Sequence, residues 1–257
     1  MPAALTRRPF PWRYGILVPN HICATRGTRW RNPRSRQSPA NWPFGTQGPS
    51  THAASRWGNR VSGSNTNYVV LGMLLEAATG HPWARLVHER VIEPLGLRHT
   101  FTPGTSPYVP QPTATACTWF PGADRPTDTT LATGGGADGG IISTPRDLAT
   151  FLRALMSGRL LRPAQLAAMK RTVPAPDWIP APGVRYGLGI AWRPVAGSRD
   201  GVWFHGGTHL GVVSESGVTP DGSRAVAAAV FTLRTDEEGR KAQALAALRL
   251  VDNALTA

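Results

Sequence analysis

Lysine is almost absent from this chain, at Lys170 and Lys241 alone, and cysteine is equally scarce, at Cys23 and Cys117. Neither cysteine sits at a metal or redox spacing, which excludes a disulfide framework and leaves both incidental. No run of about 18 apolar residues exists, so nothing reads as a membrane-spanning helix. After Arg7, Arg8 and Arg13 the only consecutive aliphatics are Ile16, Leu17 and Val18, too short an apolar core for a secretory signal. As written, the chain is therefore expected to stay in the cytoplasm.

Acidic residues are missing from one end only. Residues 1–60 hold ten arginines and no acid, whereas residues 61–257 hold 18 basic and 15 acidic residues, a net of +3. The overall charge of +13 and pI of 11.3 thus belong to one end and do not describe a basic surface throughout. That end also holds four of the nine tryptophans and eight prolines, with almost no aliphatics from Thr25 to Arg60. Neither the helical nor the strand period appears, and such a stretch buries too little apolar surface to offset the entropy of ordering it. Arginine with tryptophan can pair phosphates and stack on bases. The lack of lysine alongside abundant Arg, Pro, Gly and Trp favours instead a segment that never specified structure, and no nucleic-acid partner is expected.

From Val61 onward the pattern changes. Asn65 or Thr66 caps a helix running to Thr79 and ended by Gly80. It is apolar almost all round, from Val69 to Leu75, and is expected to be buried. Pro82 opens a second helix that closes near Pro94-Leu95-Gly96, residues 99–140 read as loops and turns, and Thr144-Pro145-Arg146-Asp147 starts a third helix with a clean apolar stripe. A short helix spans Ala164 to Met169. Strands are expected at Tyr186 to Trp192 and Val202 to Phe204. A hairpin of Gly211 to Val218 and Ala225 to Leu233 turns at Thr219-Pro220-Asp221-Gly222. A final helix starts at Asp236. Helices followed by an antiparallel sheet with a terminal helix packed on it is α+β grammar.

Chemistry concentrates at His205-Gly206-Gly207-Thr208-His209. The two histidines would lie roughly 13 Å apart in an extended chain, and no Glu follows either one in the zinc-helix pattern, so no metal and no cofactor is expected. A strand bearing His, two glycines and Thr has another use: the glycines let a peptide-like ligand approach the backbone, while His205 and Thr208 can hold a carboxylate or assist proton transfer. Ser64-Asn65 alone reads as a helix cap.

Taken together, these pieces resemble one family. Ser64-Asn65 with Tyr68 and Leu71-Gly72, then Glu93-Pro94-Leu95-Gly96-Leu97, then Gly139-Gly140-Ile141-Ile142-Ser143-Thr144 with Asp147-Leu148, then His205-Gly206-Gly207-Thr208, resemble in order and spacing the penicillin-binding-protein-like serine hydrolases, which include D-Ala-D-Ala carboxypeptidases and class C β-lactamases. The resemblance covers 61–257. It implies an α+β fold of the β-lactamase/transpeptidase type: an antiparallel sheet flanked by helices plus a mostly helical lobe, incomplete at the N-terminus. It also implies hydrolysis of D-Ala-D-Ala peptides, β-lactams or related esters through an acyl-enzyme, in a monomeric extracytoplasmic enzyme. Asn65 and His205 would be catalytic, Asn65 orienting the substrate amide; Gly206, Gly207 and Thr208 would bind substrate. The family's Ser-x-x-Lys, however, occurs nowhere, since Ala167 precedes Lys170 and Glu238 precedes Lys241 at the serine spacing, and Gly63 stands where the motif tyrosine belongs. The change of composition at the point where the resemblance begins suggests a truncated and partly frameshifted homologue. Such a chain is expected to be a pseudoenzyme, or a non-catalytic module binding cell-wall peptides, and to expose apolar surface that promotes aggregation.

Overall fold

The computed structural model describes residues 65–106, 108–130, 136–176, 178–179 and 181–257. The arginine-rich segment 1–60, with Cys23, lies outside these residues, as do Gly63, Ser64 and Gly134-Gly135 of the glycine run.

Helix α1 (Asn65–Thr79) ends where expected: Gly80, at φ 69°, donates its N–H to the Glu76 carbonyl at 2.8 Å. Pro82 then starts α2 (Trp83–Val87). One π-helical turn, His88–Ile92, carries it into α3 (Glu93–Leu95), so the second helix is continuous but wound differently in its middle. Left-handed Gly96 stops it, as its Pro-Leu-Gly ending anticipates. Where α1 crosses α2, a Cβ on Gly72 would stand 3.6 Å from the Trp83 ring and 2.8 Å from the Ala137 methyl. Glycine is what permits that approach.

The expected burial of α1 is not observed. Only Gly72 is buried, while Val69, Val70, Leu71, Met73, Leu74 and Leu75 are 39–63% exposed. α1 is apolar on every side, yet among the described residues it is approached by α2, by the loops at Ala137 and Gly189 and, at Tyr68, by Tyr186 of the sheet. Its remaining faces are left to water.

Thr144 caps α4 (Pro145–Met156), its hydroxyl accepting from the Asp147 N–H at 3.3 Å. The buried Asp147 carboxylate turns the other way and accepts from the His99 N–H at 2.8 Å and the Thr100 hydroxyl at 3.0 Å, tying α4 to the end of the α1–α3 layer. α5 (Pro163–Met169) follows. The loop expected over 99–140 contains two short strands, β1 (Cys117–Trp119) and β2 (Thr127–Asp128). β1 is too short for a period of two to register; it pairs antiparallel with β2 on one edge and, on the other, with residues more than a hundred positions away.

The main sheet begins with β3 (Val173–Pro174), β4 (Arg185–Tyr186) and β5 (Ala191–Arg193). The single strand expected from Tyr186 to Trp192 is a hairpin instead, pairing Tyr186 with Ala191 through a turn in which Gly189 takes φ 77°. β6 (Val202–Phe204) pairs with β5 on one edge and with the end of β8 (Val212–Val218) on the other, while β7 (Gly207–His209) continues along the same edge of β8. The register Phe204↔Gly217 and Gly207↔Ser214 is continuous, so no residue is inserted between β6 and β7. β9 (Ala225–Val230) lies along the whole of β8, closing the expected hairpin, and β10 (Thr232–Arg234) leaves it to pair in parallel with β1.

Alternation along these strands sorts the core. Val202 and Phe204 meet Leu248, Val251 and Leu255 of α6 (Glu237–Thr256), whereas Trp203 and Val218 meet Leu152, Leu155 and Met156 of α4. Gly217 faces α6 so closely that a Cβ there would lie 2.8 Å from both Leu255 Cδ1 and Val251 Cγ1. Asp236 caps α6 as the acidic first turn suggests. The architecture is α+β, an antiparallel sheet with a helix on each face and a helical layer beside it. No helix among the described residues is long and apolar enough to cross a membrane.

Candidate active site

His205 leaves β6 on the α4 face of the sheet. Its carbonyl is not part of the strand ladder; it accepts from the Ser216 hydroxyl at 2.7 Å. The imidazole is tied at both nitrogens, with Nδ1 2.7 Å from the Gly206 carbonyl and Nε2 3.1 Å from the Tyr186 hydroxyl. Burial beside the Trp178 ring, whose centroid is 5.2 Å away, lowers its pKa from the ordinary value, against the opposing pull of the Gly206 carbonyl. At neutral pH the ring is uncharged.

Gly206 packs against Glu215: a Cβ there would lie 2.8 Å from Glu215 Oε2 and 3.1 Å from the Ser214 carbonyl. Gly207 and Thr208 lie on β7, exposed, with β8 on one edge and no strand on the other among the described residues. Asn65 is the exposed first residue of α1, and Tyr68, one turn later, reaches the sheet, with its hydroxyl 3.3 Å from that of Tyr186. Thus His205, Gly206, Gly207 and Thr208 form one continuous strand edge. The helix bearing Asn65 is joined to it through two tyrosines.

A cavity of about 260 Å³ lies beneath this edge, walled by Leu148, Phe151 and Leu155 of α4, by Met169 and by the Ser214 and Ser216 hydroxyls, with His205 at its rim. A slightly larger hollow of about 310 Å³ lies elsewhere, by Trp119, Arg234 and Asp236. Its charged groups are engaged with each other, Arg234 Nε lying 2.9 Å from Asp236 Oδ2, so the reactive groups collect at the smaller one.

Three groups here were not singled out from the sequence. Tyr186 read as an ordinary strand residue, Tyr68 as part of a helix motif and Glu215 as one polar residue of a strand. The Gly-Leu-Gly after Tyr186, which turns the chain and makes room for the Tyr68 hydroxyl 3.5 Å from a Cβ on Gly189, was the available signal. Lys170 is used structurally: its ammonium donates to the Pro220 carbonyl at 3.0 Å and lies over the Trp203 ring.

The Beta-lactamase family model matches residues 36–252. The chain belongs to the Beta-lactamase family. The resemblance read from the Asn65, Asp147 and His205 segments therefore holds, and with it membership of the wider group of penicillin-binding-protein-like serine hydrolases. Among solved structures, a D-stereospecific amidohydrolase from Streptomyces sp. is 37% identical over 66% of this chain and 50% of its own length, with a TM-score of 0.59. D-amino acid amidase from Ochrobactrum anthropi SV3, in complex with L-phenylalanine amide, is 25% identical over 76% of this chain and 58% of its own, with a TM-score of 0.62. The octameric penicillin-binding protein homologue from Pyrococcus abyssi shares the fold at 22% identity, a TM-score of 0.62, and coverage of 78% and 45%. The chain spans about half the length of these structures. That last protein is an octamer, so the monomer expected from the sequence draws no support from it.

Proposed function

We propose that this member of the Beta-lactamase family carries the ligand-holding part of a hydrolase for D-amino-acid amides and D-Ala-D-Ala peptides, and that the sequence as given binds such ligands without forming an acyl-enzyme. The observation that carries this reading is the open edge of β7. Gly207 and Thr208 offer backbone donors and acceptors to an extended amide, and the glycines place no side chain in its way. Asn65 supplies an amide that orients the ligand, and the cavity beneath receives an apolar side chain. The names of the Streptomyces and Ochrobactrum proteins support the D-amino-acid amide class.

Acyl transfer in this family needs a serine to attack the carbonyl and a lysine to take its proton, and no Ser-x-x-Lys occurs in the 257 residues. Residues that act as a unit fail as a unit, so covalent turnover is lost while binding at β7 remains. Extracytoplasmic placement, where such peptides occur, belongs to the same proposal. The test is intact-protein mass spectrometry after incubation with nitrocefin and with D-phenylalanine amide, together with calorimetric titration of a D-Ala-D-Ala peptide. Saturable binding with an unchanged mass is expected; a stable acyl adduct overturns the non-covalent reading, and no binding overturns the ligand assignment.

A further inference from the structure

Two tyrosines stand behind the His205 strand. Tyr186 stands with its hydroxyl between His205 Nε2 at 3.1 Å and the Tyr68 hydroxyl at 3.3 Å. Its ring is held edge-on by Trp178, with centroids 4.7 Å apart. The bonding dictates the protons. The Gly206 carbonyl can only accept, so His205 Nδ1 carries hydrogen, and in the neutral ring Nε2 must be the acceptor. Tyr186 therefore donates to Nε2, which leaves its oxygen to accept from Tyr68.

Protonation of the imidazole reverses both bonds of the hydroxyl chain, while Nδ1–H keeps its bond to the Gly206 carbonyl. Nε2–H now donates to Tyr186, Tyr186 donates to Tyr68, and the Tyr68 hydroxyl hydrogen turns outward. Tyr68 is 36% exposed and sits three residues after Asn65, on the same face of α1. We propose that Tyr186 is a positioning residue for His205, and that it forms with Tyr68 a hydroxyl chain carrying the imidazole's proton to the α1 surface beside Asn65. The step balances. The proton on Nε2 passes to the Tyr186 oxygen, the Tyr186 hydrogen passes to the Tyr68 oxygen, and the Tyr68 hydrogen leaves to water or to a ligand amine. Both tyrosines end neutral and the imidazole ends neutral.

The proposal deepens the reading of His205–Thr208 as the ligand strand and rests on it for its functional meaning. In a chain with Gly63 at the motif-tyrosine position, it gives the ligand site a proton donor from a different turn of the same segment. Among the described residues the nearest carboxylate along the strand, Glu215 on β8, lies against the neighbouring Gly206; from α4 the neighbours of the cavity are Leu148, Phe151, Leu152 and Leu155.

The test reads protonation with no ligand present, so it succeeds or fails independently of peptide binding. The full chain has four tyrosines, so ring-labelled tyrosine spectra can be assigned by single Phe variants and followed beside the His205 imidazole from about pH 4 to about pH 8. The Tyr68 ring signal is expected to move with the His205 midpoint and to stop doing so in Tyr186→Phe and His205→Gln. In Tyr186→Phe the His205 midpoint is expected to fall by about one unit, because the charged ring loses a stronger hydrogen bond than the neutral ring. Tyr68→Phe, at a half-exposed position, moves that midpoint in the same direction by less. A Tyr68 signal flat through the His205 titration overturns the chain. So does a Tyr68 titration that survives Tyr186→Phe, or one that is abolished by Glu215→Gln but not by His205→Gln. If Tyr186→Phe lowers the melting temperature while leaving the His205 titration in place, Tyr186 is merely structural and the positioning role fails.

Discussion

Glu215 shows how one residue can carry the molecule's pH response. Burial pushes its carboxyl up to about 7; the Ser216 N–H and Arg193 pull the other way, and Asp252 adds to the rise. Between pH 4.5 and about 7 the native chain keeps a proton that the unfolded chain has released, so this contribution to stability is present below the lower value and is lost as pH rises through the upper one. The span corresponds to on the order of 3 kcal/mol. His205 acts oppositely, because its depressed pKa costs stability as pH falls below the ordinary histidine range. Denaturant melts of Glu215→Gln against the parent isolate the first effect. The variant is expected to gain relative to the parent as pH rises from about 4.5 to about 7, and a constant difference across that window would refute it. Close by, Arg193 is 3% exposed and pairs with Asp252 on α6, while its Nε and Nη2 have no partner. Removing Asp252 would strip that buried guanidinium of its ion-pair partner, so Asp252→Ala is expected to destabilise by roughly 3 kcal/mol, measured by the same melts.

The elements differ in how much of their stability is local. α4 depends on Asp147, whose carboxylate satisfies His99 N–H and the Thr100 hydroxyl; Asp147→Ala is expected to cost about 2 kcal/mol and Thr144→Ala about 1 kcal/mol in chemical denaturation. These helix starts were legible in the sequence because a cap is written within four consecutive residues. The Thr219–Gly222 turn was legible for the same reason: Asp221, held down to about 2 by the Thr219 and Ser223 hydrogen bonds, closes it locally. β1 and β2 were not legible, since strands of three and two residues carry no period and β1 is held between β2 and the distant β10. Within the site, the order His-Gly-Gly-Thr announced an extended segment, and β7 lies there. What it did not announce was that both imidazole nitrogens are already engaged by Gly206 and Tyr186, the latter 19 residues upstream. That fact comes from the β4–β5–β6 pairing, and no spacing along the chain encodes it.

For the whole molecule the exposed helix is decisive. α1 presents six aliphatic or methionine side chains to water within seven residues, and a contiguous apolar patch favours association. The purified chain is expected to self-associate with rising concentration, and Met73→Glu with Leu74→Lys is expected to reduce that association, as read by sedimentation velocity; concentration-independent sedimentation of the parent would contradict it. β9 adds a second liability, since Ala225–Val230 contains no charge and no proline, and among the described residues β8 is its one strand partner. Gly217 sets a tolerance of a different kind. Carbon atoms in contact rest about 3.5–4.0 Å apart, so a methyl placed 2.8 Å from Val251 and Leu255 acts as a wedge of roughly 1 Å between helix and sheet. A lift of that size at one point tilts the whole of α6, so the depth at which the last helix seats is gauged by a single hydrogen atom near the end of β8.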